Sequence, residues 1–401
     1  MKERERKALL LLLLLLALVA ARSPLCLGEA KTGEKSSMDL SVPAGLPYRG
    51  VKLVFTDLDG TLYPGDRHEE EPKAEKPRLM RNMAMVTLLE SHLGVPVVPA
   101  TGNNVGFAQK KMLDPSTGAK LRDLSTMPGI YCNGALVLGA GGEEVDVRHL
   151  GAFVPGFVTQ WLGSRSRPPR CADICIAGLA KERTLLMGWP GLSAVGRRTA
   201  SEFTTQMMID EPEFAWLEPE AFGSAAESIL SLLILFPNDP DADAKVTLQL
   251  KLDTQAWLHA AALLDFDDAT TRLSNGEGPG VVCKHVHVPG LGPEIDISPS
   301  GVNKGSAIMK LLAGAAQHLG VEASDSEIAV FGDAGNDIEL FGMKRDRSGD
   351  ALEPLGLSYR PAIRCAMPWA NDDLLRGDAN VIAGVDSVLR QIVHEKDSTL
   401  L

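Results

Sequence analysis

The chain lacks a positive excess. Lys and Arg total 40 against 52 Asp and Glu, a formal net charge of −12, which excludes broad electrostatic adhesion to nucleic acid or anionic lipid and leaves room only for a local anion site. It lacks dense cysteine spacing as well. Cys26, Cys132, Cys171, Cys175, Cys283 and Cys365 are scattered along 401 residues, so no disulfide framework is implied. The nearest pair, Cys171 and Cys175 in CADIC, would stand too far apart in an extended strand to bridge. Nor is there a span-length apolar run: the longest, Ala8 to Ala21, falls short of the roughly 20 residues a bilayer-crossing helix needs. No internal repeat of solenoid period is present.

What is present suits a globular core, with 45% apolar residues in a chain long enough for one large domain or two ordinary ones. The basic start MKERERK followed by the short leucine run reads as a secretory signal peptide over residues 1–30. Cleavage sites are offered at Ala20 and Ala21 or at Gly28 and Ala30. The alternative is an uncleaved anchor stretched by its neighbours. With the signal removed no stable membrane span is expected, and the route leads to the endoplasmic reticulum, the exterior or an organelle reached through it. Residues 31–50 are polar, with Gly, Ser and Pro, and read as a linker.

From VKLVFTD onward, apolar runs of strand length alternate with helical patterns. The pattern LMRNMAMVTLLESHLG precedes VPVVPATG. A helix-like piece over Val105 to Leu113 precedes GIYCNGALVL, which turns at Asn133 and Gly134. The rhythm returns in KGSAIMKLLAGAAQHLG, EIAVFGD, a helix from Asn336, AIRCAM and GVDSVLRQIVHE. Such alternation predicts a doubly wound parallel sheet covered on both faces. Between these halves the texture changes to strand-like runs, ESILSLLILF, KVTLQLKL and VVCKHVHV, separated by turns and the acidic loop NDPDADA. The expected organisation is a core over 51–145 and 296–394, an inserted α/β domain over 146–295, and a tail over 395–401.

Ligands of an open parallel sheet bind beyond the carboxyl ends of its strands, and four loops carry reactive groups there. Asp57 and Asp59 are two apart, so on an extended chain both face one site while Leu58 turns inward. Gly60 and Thr61 then bend the backbone so that main-chain N–H groups can approach an anion. A third carboxylate, Asp333, would repel the first two unless a cation sat among them, and hard oxygen ligands suit Mg²⁺. Geometry then assigns Asp57 to nucleophilic attack on phosphorus and Asp59 to proton transfer. Thr101 and Gly102 offer a hydroxyl and an N–H to a phosphoryl oxygen. Lys304 supplies positive charge, Asn336 adds a hydrogen bond, and Asp337 orients Lys304 or a metal-bound water.

DLDGT, ATG, GIYCNGA, SPSGVNKGSAI and FGDAGNDIEL, in this order, resemble the haloacid dehalogenase-like phosphohydrolases, specifically the Cof-type branch. The resemblance implies a Rossmann-like core with an inserted α/β cap, Mg²⁺ dependence, and hydrolysis of a small phosphorylated metabolite, often a sugar phosphate. It implies Asp57 as nucleophile, Asp59 as acid/base and Thr101 and Lys304 as phosphate grips. Asp333 would be the metal ligand, joined by Asp57 and the main-chain carbonyl of Asp59. Two departures stand out. Asn103 and Asn104 follow ATG where such proteins commonly carry arginine, and AMPWAND, with Pro368 and Trp369, replaces a Gly-Asn-Ala turn. Both bear on substrate choice and cap closure more than on phosphoryl chemistry.

Other features read as structure. Cys283, His285 and His287 would share a strand face and resemble a zinc set, but a half-buried strand explains the alternation. Arg165, Arg167, Arg170, Arg197 and Arg198 fall in the inserted domain and solvate its surface; the alternative is contact with a second anionic group of the substrate. A phosphomutase or phosphotransferase of the same fold is the alternative activity, and a non-catalytic phosphometabolite binder the alternative outside enzymes.

Overall fold

The computed structural model describes residues 48–63, 72–114, 116–164, 167–206, 214–237, 244–260, 281–288, 292–345, 351–355, 359–368, 370 and 373–400. The expected signal peptide and almost all of the expected linker lie outside these residues. Among them no helix is long and apolar enough to cross a membrane.

Strand β1 (Leu53–Thr56) is followed by α1 (Pro72–Ser91), β2 (Val97–Pro99) and α2 (Val105–Lys111), and then by an antiparallel set β3 (Gly129–Tyr131), β4 (Leu136–Leu138) and β5 (Glu144–Val147). The next stretch holds α3 (Phe153–Gly163), β6 (Cys175–Leu179), β7 (Thr184–Met187), α4 (Ala194–Gln206) and β8 (Phe214–Leu217). It continues with α5 (Pro219–Ser224), β9 (Ser231–Leu235), α6 (Ala244–Ala260), β10 (Val281–Val288) and β11 (Gly292–Pro299). The chain then runs through α7 (Lys304–Ala313), α8 (Ala315–Leu319), β12 (Ile328–Gly332), β13 (Met343–Arg345), β14 (Leu352–Pro354), β15 (Ile363–Ala366), α9 (Asp373–Asp378), β16 (Val381–Ile382) and α10 (Val385–Lys396).

Five strands form a parallel sheet in the order β16-β15-β12-β1-β2, with Leu53 opposite Ile328 and Val54 opposite Val97. A parallel bridge from Ala100 to Ile130 carries the sheet on to β3. Strand alternation divides its side chains: Leu53, Phe55 and Val330 pack with Ile308 and Leu311 of α7 on one face, while Val54 packs with Val86, Leu89, Val388 and Leu389 of α1 and α10 on the other. This is the doubly wound α/β core that the alternating pattern predicts, and it sets β1 and β12 side by side at the sheet's centre.

The second sheet, β10-β11-β9-β6-β7-β8, is antiparallel except for the β7–β8 pair. Ile176, Ile234, Ile295 and Ile297 pack into a cluster with Phe157, Trp161, Trp189 and Trp257. The rings of Trp161 and Trp257 lie 5.3 Å apart, edge to face, a geometry that adds about 1 kcal/mol to plain burial. Leu233 and Leu235 join the core cluster instead, together with Phe203 of α4, whose ring meets Phe107 of α2 edge-on at 6.1 Å. The cap is therefore seated on the core through apolar side chains.

Four expectations are corrected. KVTLQLKL, read as a strand, is helical within α6: Leu250, Thr254, Trp257 and Leu258 are buried at helical spacing while Val246 and Leu252 are exposed. The helix expected from Asn336 is a single 3₁₀ turn, Gly335–Asp337. The expected boundary at 145/146 cuts β5, which pairs with β4, and the one at 295/296 cuts β11, which stays in the second sheet to Pro299. The register of β10 sets Cys283 opposite Ile297 and His285 opposite Ile295.

Candidate active site

The carboxyl ends of β1 and β12 bring together the acids. Asp57 follows β1, its N–H donating to Phe331 O at 3.0 Å. Asp333 follows β12, and Asp337 sits on the 3₁₀ turn beyond it; one oxygen from each of Asp57, Asp333 and Asp337 lies within 4.8 Å of the others, and all three residues are buried. Thr61 Oγ1 donates to Asp333 Oδ1 at 3.1 Å. Gly60 makes the approach possible. It has φ +75°, and a Cβ there would stand 2.3 Å from Asp333 Oδ2, so only glycine fits.

Lys304, the first residue of α7, is buried at 1% exposure and reaches Asp57 Oδ1 at 2.8 Å and Asp337 Oδ1 at 2.7 Å. The helix start is held by Asn303, which accepts from Ser306 N and closes a capping box. The other oxygen of Asp337, Oδ2, takes the N–H groups of Asp333 at 2.9 Å and Ala334 at 3.0 Å. It orients Lys304 and the loop together. Burial alone would lower the Lys304 ammonium, but Asp337 and Asp57 outweigh it and hold the proton on. Burial, followed by the Asp337 charge, pushes Asp57 well above the usual carboxylate range against the pull of Lys304. Lys304 bonds two of the three buried carboxylates, and the three still repel one another: the charges of Asp337 and Asp333 both push Asp57 up.

Thr101 is buried at the end of β2, its N–H on Ile130 O at 2.8 Å, and its Oγ1 accepts from Asn103 N at 3.1 Å and Asn103 Nδ2 at 3.2 Å. Gly102 lies against Asn133, whose amide would be 3.3 Å from a Cβ there. Asn133 in turn accepts from Asn336 Nδ2 at 3.3 Å and donates to Asp296 Oδ2 of β11 at 2.9 Å. The backbone at Cys132 and Asn133 has φ of 48° and 53°, a strained pair that turns Asn133 between the two domains. Asn336 thus meets the site through Asn133.

Asp59 is placed differently from the expected paired strand positions. Regular strand ends at Thr56, and the Asp59 carboxylate is not among the three clustered acids. Its Oδ1 pairs with Lys111 Nζ and its Oδ2 accepts from Asn103 Nδ2. The residues after ATG therefore hold the site and the cap: Asn104 caps α2 through Phe107 N at 2.9 Å and donates to Arg183 O in the β6–β7 turn at 3.1 Å. Pro368 is half-buried and Trp369 is outside the described residues. Arg167 lies over Trp189 at 5.5 Å, Arg170 bonds Asp173 at 2.9 Å and Arg198 pairs with Glu202 at 3.7 Å, all within the cap. Arg165 is outside the described residues.

On the cap side, Glu294 and Asp296 share one face of β11 and are both buried. Burial, then the Asp296 charge, pushes Glu294 up to about 8, with Lys251 pulling the other way. Sequence reasoning missed Lys111, Asp296 and Glu294 as parts of this neighbourhood, and took Asn103 only for a replaced arginine and Asn133 only for a turn. For Lys111 a signal existed: it stands four residues beyond Phe107 and three beyond Ala108, the buried stripe of α2.

Residues 290–344 match the family model described as haloacid dehalogenase-like hydrolase, a stretch that carries Lys304, Asp333, Asn336 and Asp337. No curated protein matches the chain. Among solved structures, a HAD/Cof-like hydrolase from Plasmodium vivax aligns with a TM-score of 0.56 and 15% identity, over 87% of this chain and 96% of that one. A protein from Streptococcus mutans aligns at 0.52 and 17%, over 87% and 99%. A sugar phosphatase of HAD subclass IIB aligns at 0.50 and 15%, over 86% and 98%. Likeness at these identities speaks for the fold. The chain is similar to the haloacid dehalogenase-like hydrolases, in sequence over 290–344 and in fold over most of its length.

Proposed function

We propose that the protein is a Mg²⁺-dependent phosphatase of small phosphate monoesters. The observation that carries the reading is the buried cluster of Asp57, Asp333 and Asp337, one oxygen of each within 4.8 Å of the others, with Lys304 bonded to Asp57 and Asp337. Three buried carboxylates this close together fit a hard divalent cation. Asp57 and Asp333, with the main-chain carbonyl of Asp59, would hold Mg²⁺, which would supply charge to offset the phosphoryl oxygens.

The protein's own groups then divide the work. Lys304 and the Thr101 hydroxyl bind the phosphoryl oxygens, and Asp337 keeps Lys304 aimed at them. A carboxylate oxygen of Asp57 forms the bond to phosphorus as the ester P–O bond breaks, and Asp59 gives a proton to the leaving oxygen. In the second step water attacks the aspartyl phosphate, Asp59 takes up its proton, and inorganic phosphate leaves with Asp57 restored. The seated cap, joined to the core at Phe107, Phe203 and Asn104, supports water exclusion during the first step.

Asp57→Asn removes the nucleophile. The expected result is loss of phosphate release from a panel of metabolite monoesters, with and without Mg²⁺, to below about a thousandth of the wild-type rate. Full activity in that variant would refute the assignment. Product analysis with a sugar bisphosphate separates a hydrolase from a phosphotransferase, since only the former releases inorganic phosphate as its main product.

A further inference from the structure

Lys111 is buried at 7% side-chain exposure and has one partner among the described contacts, the Asp59 carboxylate. The Asp59 side chain itself is 32% exposed, so the polypeptide around it does not confine it by packing alone. Instead each oxygen has its own donor: Lys111 Nζ on Oδ1 and Asn103 Nδ2 on Oδ2. Asn103 is itself fixed, because its N–H and its amide both bond Thr101 Oγ1 at the end of β2. The stem of Lys111 leaves α2 from the same buried stripe as Phe107 and Ala108, and Phe107 is packed against the cap through Phe203.

We propose that Lys111 is a positioning residue for Asp59: with Asn103 it forms a two-point clamp that fixes where this carboxylate exchanges its proton with the leaving oxygen. The inference rests on the phosphatase reading above. A buried ammonium needs a partner, and this one is committed to a carboxylate, so its contribution is to orient Asp59 rather than to grip phosphate. A carboxylate misplaced by about 1 Å loses roughly a hundredfold in rate. That loss falls only on a step that needs the proton. An alkoxide cannot leave unprotonated; p-nitrophenolate can.

The test compares kcat/KM, which reports steps up to aspartyl-phosphate formation, for alkyl phosphates (glycerol, glucose and ribose phosphates) and p-nitrophenyl phosphate, all with Mg²⁺. In Lys111→Met the expected result is a fall of about 30- to 100-fold for the alkyl esters, carried by kcat, and a change within about 3-fold for the aryl ester. Lys111→Arg should recover most of the loss. In an Asp59→Asn background, Lys111→Met should add less than about 2-fold, as expected of two groups acting as one. Lys111→Gln stands in if the Met variant does not fold. Equal losses on both ester types, or a rise in KM alone, would overturn the inference while leaving the phosphatase reading intact. Wild-type turnover of the aryl ester but of no alkyl ester would also overturn it, because Asp59 would then be delivering no proton. Turnover of neither ester type refutes the phosphatase reading and the inference together.

Discussion

Glu294→Gln should change the pH dependence of stability in a direction the structure determines. Burial and Asp296 raise Glu294 from 4.5 to about 8. In the unfolded chain this carboxyl loses its proton near the lower value; in the folded chain it keeps it until near the higher one. Between the two, the folded state binds more protons, so rising pH favours unfolding. The stability held below the lower value is lost progressively and is gone above the higher one. The difference corresponds to an upper bound of about 5 kcal/mol, at no more than about 1.4 kcal/mol per pH step. Relaxation around the charged form reduces this, and about 2–3 kcal/mol is the working expectation. Asp57, also raised, contributes equally to wild type and variant and drops out of their difference. Urea unfolding of both proteins at pH 5, 7 and 9 reads the effect. The wild type should lose stability relative to Glu294→Gln as pH rises. Parallel pH profiles would refute the claim that Glu294 is a buried, protonated acid at neutral pH.

Other changes have expected signs too. Gly60→Ala places a Cβ in the Asp333 carboxylate at positive φ. It should cost about 1–2 kcal/mol of stability and weaken Mg²⁺ binding by more than about tenfold in titration calorimetry; an unchanged Mg²⁺ affinity would contradict the packing of this loop. Phe203→Ala removes a ring that is 2% exposed at the seam between cap and core. A loss of about 3 kcal/mol in urea unfolding is expected, and a loss under about 1 kcal/mol would mean that the seam is not closed in solution.

Much of the site was legible because its chemistry sits at strand ends, where residue order and spatial position coincide. The apolar runs before Asp57, Thr101 and Asp333 are strands that stop within one or two residues of them, and parallel pairing of β1 with β12 brings distant loops together without further information. Where periodicity was short, it misled. KVTLQLKL alternates over a window too brief to separate a strand from the exposed and buried sides of a helix, and only Thr254, Trp257 and Leu258 beyond it decide for α6. Asn336 lies on a turn because Asp337 turns back to cap the N–H groups of Asp333 and Ala334, a local bond that competes with helix extension. Lys111 and Asp296 escaped for another reason: each arrives through the packing of a separate element, α2 for Lys111 and β11 for Asp296.

The passage from β11 to α7 has a consequence for how this molecule can be rebuilt. Only Ser300 to Asn303 separate the last cap strand from Lys304, and Gly301, with φ +70°, is the single left-handed link in that span. A graft that exchanges the cap for another must therefore splice within these few residues, because a cut further upstream divides a strand and one further downstream displaces the lysine. Exchange of the second sheet and its helices is thus confined, on this side, to a seam four residues wide.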